Sequence, residues 1–268
     1  MNLKRAYQRL VSIPGSLVSR LIYYIFGRML VVFPGFLANK RVILIGPART
    51  VVEELEGINL SEFDVVVRMN RAVDVPIVPG GPVWRTDVLF HNFKESGDRG
   101  AGRVTAEKVD RAGIKFVIFP GGGARKALIV AKAIVKMSMR GVKSRVGMIP
   151  IELYEEIRRS VGGYSPTTGF VAMSYVLASG CREVSVVGFT FFQTKYVDGY
   201  NNDLNSDAAG MAWAEQRDIH NPRLEAACIK RMVDAHLASG RNVVLGKGVA
   251  QSLSNIGEVN VDHESCRV

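Results

Sequence analysis

RVILIGPART, residues 41–50, is an apolar run that stops at Gly46, and DVVVRMNRA at 64–72 repeats the pattern. Near-continuous Val and Ile are what strands buried on both faces of a parallel sheet require. Similar runs fall at 87–90, 115–119, 145–149, 183–188 and 242–245, with helical stretches at 124–139, 169–179 and 222–238. Strands alternating with helices predict an α/β fold, an open and mostly parallel sheet whose ligands bind at the carboxyl ends of the strands. The segment 193–219, rich in Asn, Asp and Gly, reads as a long loop, and loops of that length often serve as lids.

The 268 residues are 47% hydrophobic and 22% charged, which excludes disordered and coiled-coil chains. A chain of this length builds a core without disulfides. Three cysteines (Cys181, Cys228 and Cys266) are too few and too scattered for a disulfide scaffold or a zinc cluster. The net charge of +10 is uneven: residues 1–40 hold Lys4, Arg5, Arg9, Arg20, Arg28 and Lys40 with no acid, or +6. The other 228 residues hold only +4, from 29 basic and 25 acidic. Such a balance does not describe a nucleic-acid binder, and no nucleic-acid partner is expected.

Within that first segment, Leu17, Val18, Leu21, Ile22, Ile25, Phe26, Met29, Val32 and Phe33 recur at steps of three and four. They line one broad face of a helix, with Ser16, Arg20, Tyr24 and Arg28 opposite and Pro34-Gly35 ending it. The longest charge-free run there, 29–39, is well short of the roughly 18 apolar residues of a spanning helix. An interrupted apolar core also argues against a signal peptide. The expectation is a basic amphipathic membrane-associating segment over 1–40, peripheral on an anionic surface, followed by the α/β domain over 41–268. The alternative is a first helix packed on the domain's own core.

Several positions can carry chemistry. Gly46 ends a buried strand, where a backbone approaches a ligand closely or simply turns. The Asn70 amide both donates and accepts, as reading a ribose or a pyrimidine edge requires, although Asn is also a common turn former. Ser165-Pro166-Thr167-Thr168-Gly169 precedes an apolar helix, so its hydroxyls and N–H groups form either an anion site or an ordinary cap. His220 stands just before Asn221, a good N-cap, and Pro222, a good first helical residue. The helix dipole there keeps the imidazole neutral, which suits a general base. Gly121-Gly122-Gly123 forms a ligand cradle or a flexible turn, and His236 and His263 have no supporting partner.

Taken in order, 41–92, SPTTGFVAMSYVLASGCREVSVVGF at 165–189 and HNPRLE at 220–225 resemble the large, small and very small sialylmotifs of the animal-type sialyltransferase family. The resemblance implies a single Rossmann-like sheet, a GT-A-type variant, and a CMP-sugar glycosyltransferase, a bacterial member or relative of the family, needing no cofactor. It implies His220 as the catalytic base and Gly46, Ala48, Asn70, Thr167, Thr168, Gly169 and Lys195 as donor-binding residues. Glu225, His91 and Asn92 fall inside the motifs without a defined role. The donor would be an acidic 2-keto sugar on CMP (sialic acid or Kdo type), and the acceptor a glycan or a lipid-linked glycan.

The departures also carry meaning. Where the family has a Gly-Asn-Ser turn, this chain has Gly46-Pro47-Ala48, so the asparagine contact to the donor is missing. The family's large-motif cysteine falls at Val42 while its partner is matched by Cys181, so the intermotif disulfide cannot form, which fits a reducing compartment. The third motif is only echoed by Lys195-Tyr196-Val197-Asp198, where the lysine can meet a phosphate. No two aspartates lie two positions apart, so the metal clamp of many sugar-nucleotide transferases is absent and no metal is expected. Two competing readings stay open: a sugar-nucleotide-binding or scaffold protein without catalysis, and a NAD-linked Rossmann enzyme, the latter opposed by the lack of GxGxxG.

Overall fold

The computed structural model of the protein describes residues 15–77, 84–97, 100–201, 206–216 and 219–255. Residues 1–14, with Lys4, Arg5 and Arg9, lie outside the described residues, as do His263 and Cys266. Each expected strand forms: β1 (Arg41–Ile45), β2 (Val65–Met69), β3 (Val88–Phe90), β4 (Phe116–Phe119), β5 (Arg145–Met148), β6 (Glu183–Val187) and β7 (Asn242–Leu245). They pair in the order β5-β4-β3-β2-β1-β6-β7, every pair parallel. Ile43 sits in register with Val66 on one side and Ser185 on the other. Val42, Ile43 and Leu44 are wholly buried, as their unbroken apolar run requires.

From β1 the chain winds outward to β5, then returns to place β6 on the other side of β1. The strand order therefore reverses between β1 and β6, and in open α/β sheets the crevice at such a switch point is where ligands bind. Here the two strand ends are drawn unusually close. Gly46 N donates to Val187 O (2.8 Å) and Ala48 N to Gly188 O (2.9 Å). A Cβ on Gly46 would lie 2.1 Å from the Gly188 carbonyl oxygen, so no larger residue fits without moving the backbone. Gly188 itself has φ +71°.

The helices among the described residues are α1 (Gly15–Leu30), α2 (Val51–Glu54), α3 (Ala106–Ala112), α4 (Ala127–Ser138), α5 (Ile151–Ser160), α6 (Thr168–Leu177), α7 (Asp207–Gln216), α8 (Pro222–Ala238) and α9 (Lys247–Ser254). Helix α6 is buried from Phe170 to Leu177, because it lies between the sheet (Leu44, Val67, Phe90) and Ala226, Cys228 and Ile229 of α8. The Cys181 and Cys228 thiols are buried, donating to Val176 O (3.4 Å) and Ser160 O (3.1 Å).

Two features of the chain were only partly legible. Helix α7 lies inside the segment expected to be an unbroken loop; its alanine-rich run DAAGMAWAEQ is a good helix former that the preceding Asn and Asp residues disguise. Helix α1 forms as expected and packs on the domain along one side: Ser19 Oγ donates to Ala124 O (2.5 Å) and accepts from Leu128 N (3.1 Å). Ile22, Tyr23 and Leu30 join the same contact, and Val32 N donates to Met148 O (2.8 Å). The other side leaves Leu17, Leu21, Tyr24, Ile25 and Met29 exposed. Among the described residues no helix is long and apolar enough to cross a membrane.

Candidate functional site

A cleft of about 400 Å³ opens at the carboxyl ends of the strands, beside the β1–β6 switch point. Pro47 and Ala48 follow β1, Asn70 and Arg71 follow β2, Asn92 follows β3, Gly121 follows β4 and Gly188–Phe192 follow β6. The start of α6 and the start of α8 close it from above, with Ser165–Phe170, His220 and Glu225. Three lining residues hold a left-handed backbone that only glycine adopts freely: Asn70 (φ +47°), Phe191 (+49°) and Phe192 (+66°). Such strain persists where the surroundings impose it, commonly at ligand sites.

His220 is fixed by the segment across from it. Ser165 N donates to Ile219 O (2.9 Å), and His220 Nδ1 donates to Ser165 O (2.5 Å). A carbonyl can only accept, so Nδ1 carries the proton and Nε2 is the basic atom of the neutral ring. The cap expected behind it is present: Asn221 Oδ1 accepts from Leu224 N (3.1 Å), and Pro222 opens α8.

Glu225, one turn into α8, is 2% exposed and its role is now visible. Its carboxyl accepts from both Thr167 N (2.7 Å) and Thr167 Oγ1 (2.7 Å), tying the first turn of α8 to the first turn of α6. Burial pushes the carboxyl up to about 8, against the pull of the two Thr167 bonds. Thr167 Oγ1 also accepts from Phe170 N (3.2 Å), capping α6. Thr167 is thus committed to its neighbours, whereas the Thr168 and Gly169 amides, which also line the cleft, have no bonding partner among the described residues. They point from a helix N-terminus, where an anion is favoured by both hydrogen bonding and the dipole.

The cleft brings together Ala48, Asn70, Asn92, Thr167, Thr168, Gly169, His220 and Glu225. Ala48 contributes only its surface, because its amide is spent on Gly188 O. Asn70 accepts from Asn92 N (3.4 Å) and bonds the Tyr200 side chain. Three expected residues do not line it. Gly46 packs against Gly188 and serves close approach of chain to chain rather than chain to ligand. Lys195 lies outside: its amide donates to Asp207 Oδ1 (2.7 Å) and its carbonyl accepts from Arg49 N (2.9 Å). His91 is wholly buried, with Nε2 3.1 Å from both Ala101 O and Gly102 O and Nδ1 accepting from Phe93 N (3.0 Å); burial pushes its pKa down to about 4.

Two cations that the sequence reading missed do line the cleft: Arg71, adjacent to Asn70, and Lys126, three residues past the glycine triplet. Arg71 stands just past the end of β2 and Lys126 just past the glycine triplet, and proximity to Asn70 and Gly121–Gly123 was the signal available. An aromatic wall was missed as well. Phe192 and Trp213 stack at 5.7 Å, and Trp213 stacks on the His220 ring at 6.3 Å. Trp213 comes from α7, the helix that the loop expectation concealed.

Residues 150–237 match the family model described as glycosyltransferase family 29 (sialyltransferase). That span contains the small and very small motifs at 165–189 and 220–225, and with them Thr167, His220 and Glu225; the large-motif region at 41–92 lies outside it. The sialyltransferase resemblance is thus met by a match to the same family. Among solved structures the chain is similar to the sialyltransferase CstII from Campylobacter jejuni in complex with CMP-3FNeuAc, at 12% identity, TM-score 0.47, covering 83% of this chain and 88% of that one. It is also similar to a mammalian sialyltransferase, at 18% identity, TM-score 0.43, covering 78% of this chain and 70% of that one. No curated protein matches the sequence.

Proposed function

We propose that the protein is a glycosyltransferase that moves an acidic 2-keto sugar, of the sialic acid or Kdo type, from its CMP conjugate to a hydroxyl of a glycan or lipid-linked glycan. The observation that carries this reading is the position of His220, tautomer-fixed by Ser165 O, lining the same cleft as an anion-favouring helix start. In the reaction the acceptor oxygen attacks the anomeric carbon as its proton passes to His220 Nε2. The bond from that carbon to the phosphate oxygen breaks, CMP leaves with the electron pair, and in-line attack inverts the configuration.

Charge grows on the departing phosphate, so groups aimed there stabilise the transition state. The Thr168 and Gly169 amides, Lys126 and Arg71 are the groups the cleft supplies. Asn70 meets the nucleoside, and the Phe192–Trp213 wall gives the acceptor sugar an apolar face to rest on. Glu225 is the one carboxyl among the described lining residues, and its oxygens are engaged by Thr167. A single leaving phosphate needs less neutralisation than a diphosphate, which supports a reaction without a divalent metal. The same reading places the enzyme peripherally on the inner face of the cell membrane, where Cys181 and Cys228 stay reduced.

Calorimetric titration of CMP in the presence of EDTA tests the donor assignment. CMP is expected to bind, more tightly than UMP or UDP, with chelation making no difference, and Asn70→Ala is expected to weaken the binding. Binding that vanishes with EDTA, or a preference for the uridine nucleotides, would overturn the assignment.

A further inference from the structure

The positive charge of the chain is concentrated further than its N-terminal segment. Residues 111–151 hold nine Lys or Arg and no Asp or Glu, which is +9. With the +6 of residues 1–40 these two stretches carry +15, and the other 187 residues carry −5, from 20 basic and 25 acidic. The described helix of each stretch, α1 and α4, is remote from the other in sequence and adjacent in space, the two lying side by side against β5.

The outer surfaces of both helices mix cations with large apolar side chains. On α1, Leu21 (58% exposed), Tyr24 (89%), Ile25 (57%) and Met29 (73%) are interleaved with the exposed Arg20 and Arg28. On and just past α4, Val135 (59%) and Met139 (84%) are exposed, as are Lys132 on the same helix and Arg125 just before it. Glu95 engages Lys136 and Arg140, and no described carboxylate pairs with Arg20, Arg28, Arg125 or Lys132. Exposed apolar area interleaved with cations is the composition of a surface that enters a headgroup layer, where burial of the apolar groups and attraction to anionic lipid add. Nucleic acid would use the cations but gains little from exposed Leu, Ile and Met. The surface also adjoins the cleft: Ser19 of α1 bonds the 124–128 segment, and Lys126 of that segment lines the cleft.

We infer that α1 and α4 together form one surface that seats the protein on an anionic lipid bilayer, with the mouth of the cleft beside it. This deepens the transferase reading, on which it rests only for the acceptor, by making that acceptor one presented at the membrane. The docking surface is composite: the N-terminal segment supplies half of it and a helix of the catalytic domain the other half.

Vesicle co-sedimentation of the intact chain tests this without any sugar nucleotide, so its failure is distinct from failure of the transferase reading. The protein is expected to pellet with phosphatidylcholine vesicles containing phosphatidylglycerol, far less with phosphatidylcholine alone, and to be weakened but not released by high salt. The triple variant Leu21→Ser, Tyr24→Ser, Ile25→Ser and, separately, the double variant Arg125→Ala, Lys132→Ala should each bind at least roughly tenfold more weakly. All five positions are exposed, so both variants should keep the parental melting profile and CMP affinity. An intact protein that stays in the supernatant with anionic vesicles overturns the inference, as does an Arg125/Lys132 variant that pellets like the parent. Self-association through this face would instead give a dimer in light scattering that the triple variant dissolves, with no pelleting by the parent, and that outcome also overturns it.

Discussion

Replacing His220 by alanine is expected to lower turnover by about 10²–10⁴-fold, the usual contribution of a positioned general base. CMP affinity should change little, because in the proposed reaction Nε2 acts on the acceptor proton and the groups around the phosphate are left in place. The geometry makes the distinction sharp. His220 is held from behind by Ser165 O and stacked by Trp213, so the ring is positioned before any substrate arrives. Steady-state rates beside CMP titrations check the expectation. A His220→Ala protein with near-parental turnover would remove the base from the mechanism, and one with lost CMP binding would make His220 a donor contact instead.

Glu225 carries the second large effect, and it is expected in stability as a function of pH. Its carboxyl is raised from 4.5 to about 8, mainly by burial. The folded state therefore prefers the protonated group, and that preference stabilises fully below the unfolded pKa and is lost as pH rises through about 8. Glu225→Gln imitates the protonated form: its carbonyl accepts from Thr167 N and its amide donates to Thr167 Oγ1. The variant should gain on the parent progressively between pH 4.5 and about 8. Glu225→Ala leaves the part-buried Thr167 amide without its acceptor and the Thr167 hydroxyl with only its bond from Phe170 N, and should lose about 1–3 kcal/mol, plus the cost of the cavity. Denaturant melts across that range measure both. The buried His91, lowered to about 4, loses stability as pH falls from 6.5, but it does so equally in both proteins and cancels in the difference. A Gln-minus-parent difference that is flat with pH would contradict the protonated carboxyl.

The strands were legible in the sequence because both faces of a parallel sheet are buried, which leaves uninterrupted Val and Ile such as 41–45 and 183–187. The start of α8 was legible for a local reason too, since Asn221 and Pro222 write the cap directly into the chain. Gly46 was misplaced because a glycine after a strand signals close approach without saying to what; here the neighbour is Gly188, from β6. Lys195 was assigned by motif position and is not among the residues that line the cleft, whereas Lys126 lines it from a segment distant in sequence. Glu225 shows the same limit. Its role is to bond Thr167, 58 residues earlier, a pairing that no local pattern reveals.

The central claim is transfer of a sugar from CMP, and CMP release measures it directly. The intact protein would be incubated with CMP-sialic acid, CMP-legionaminic-type sugars and CMP-Kdo, each with and without glycan acceptors, beside His220→Ala under identical conditions. At least one donor is expected to yield CMP faster with an acceptor present, through the parent protein and not through the variant. Release of CMP from none of them by a protein that binds CMP would contradict the transferase account and leave a sugar-nucleotide-binding protein in its place.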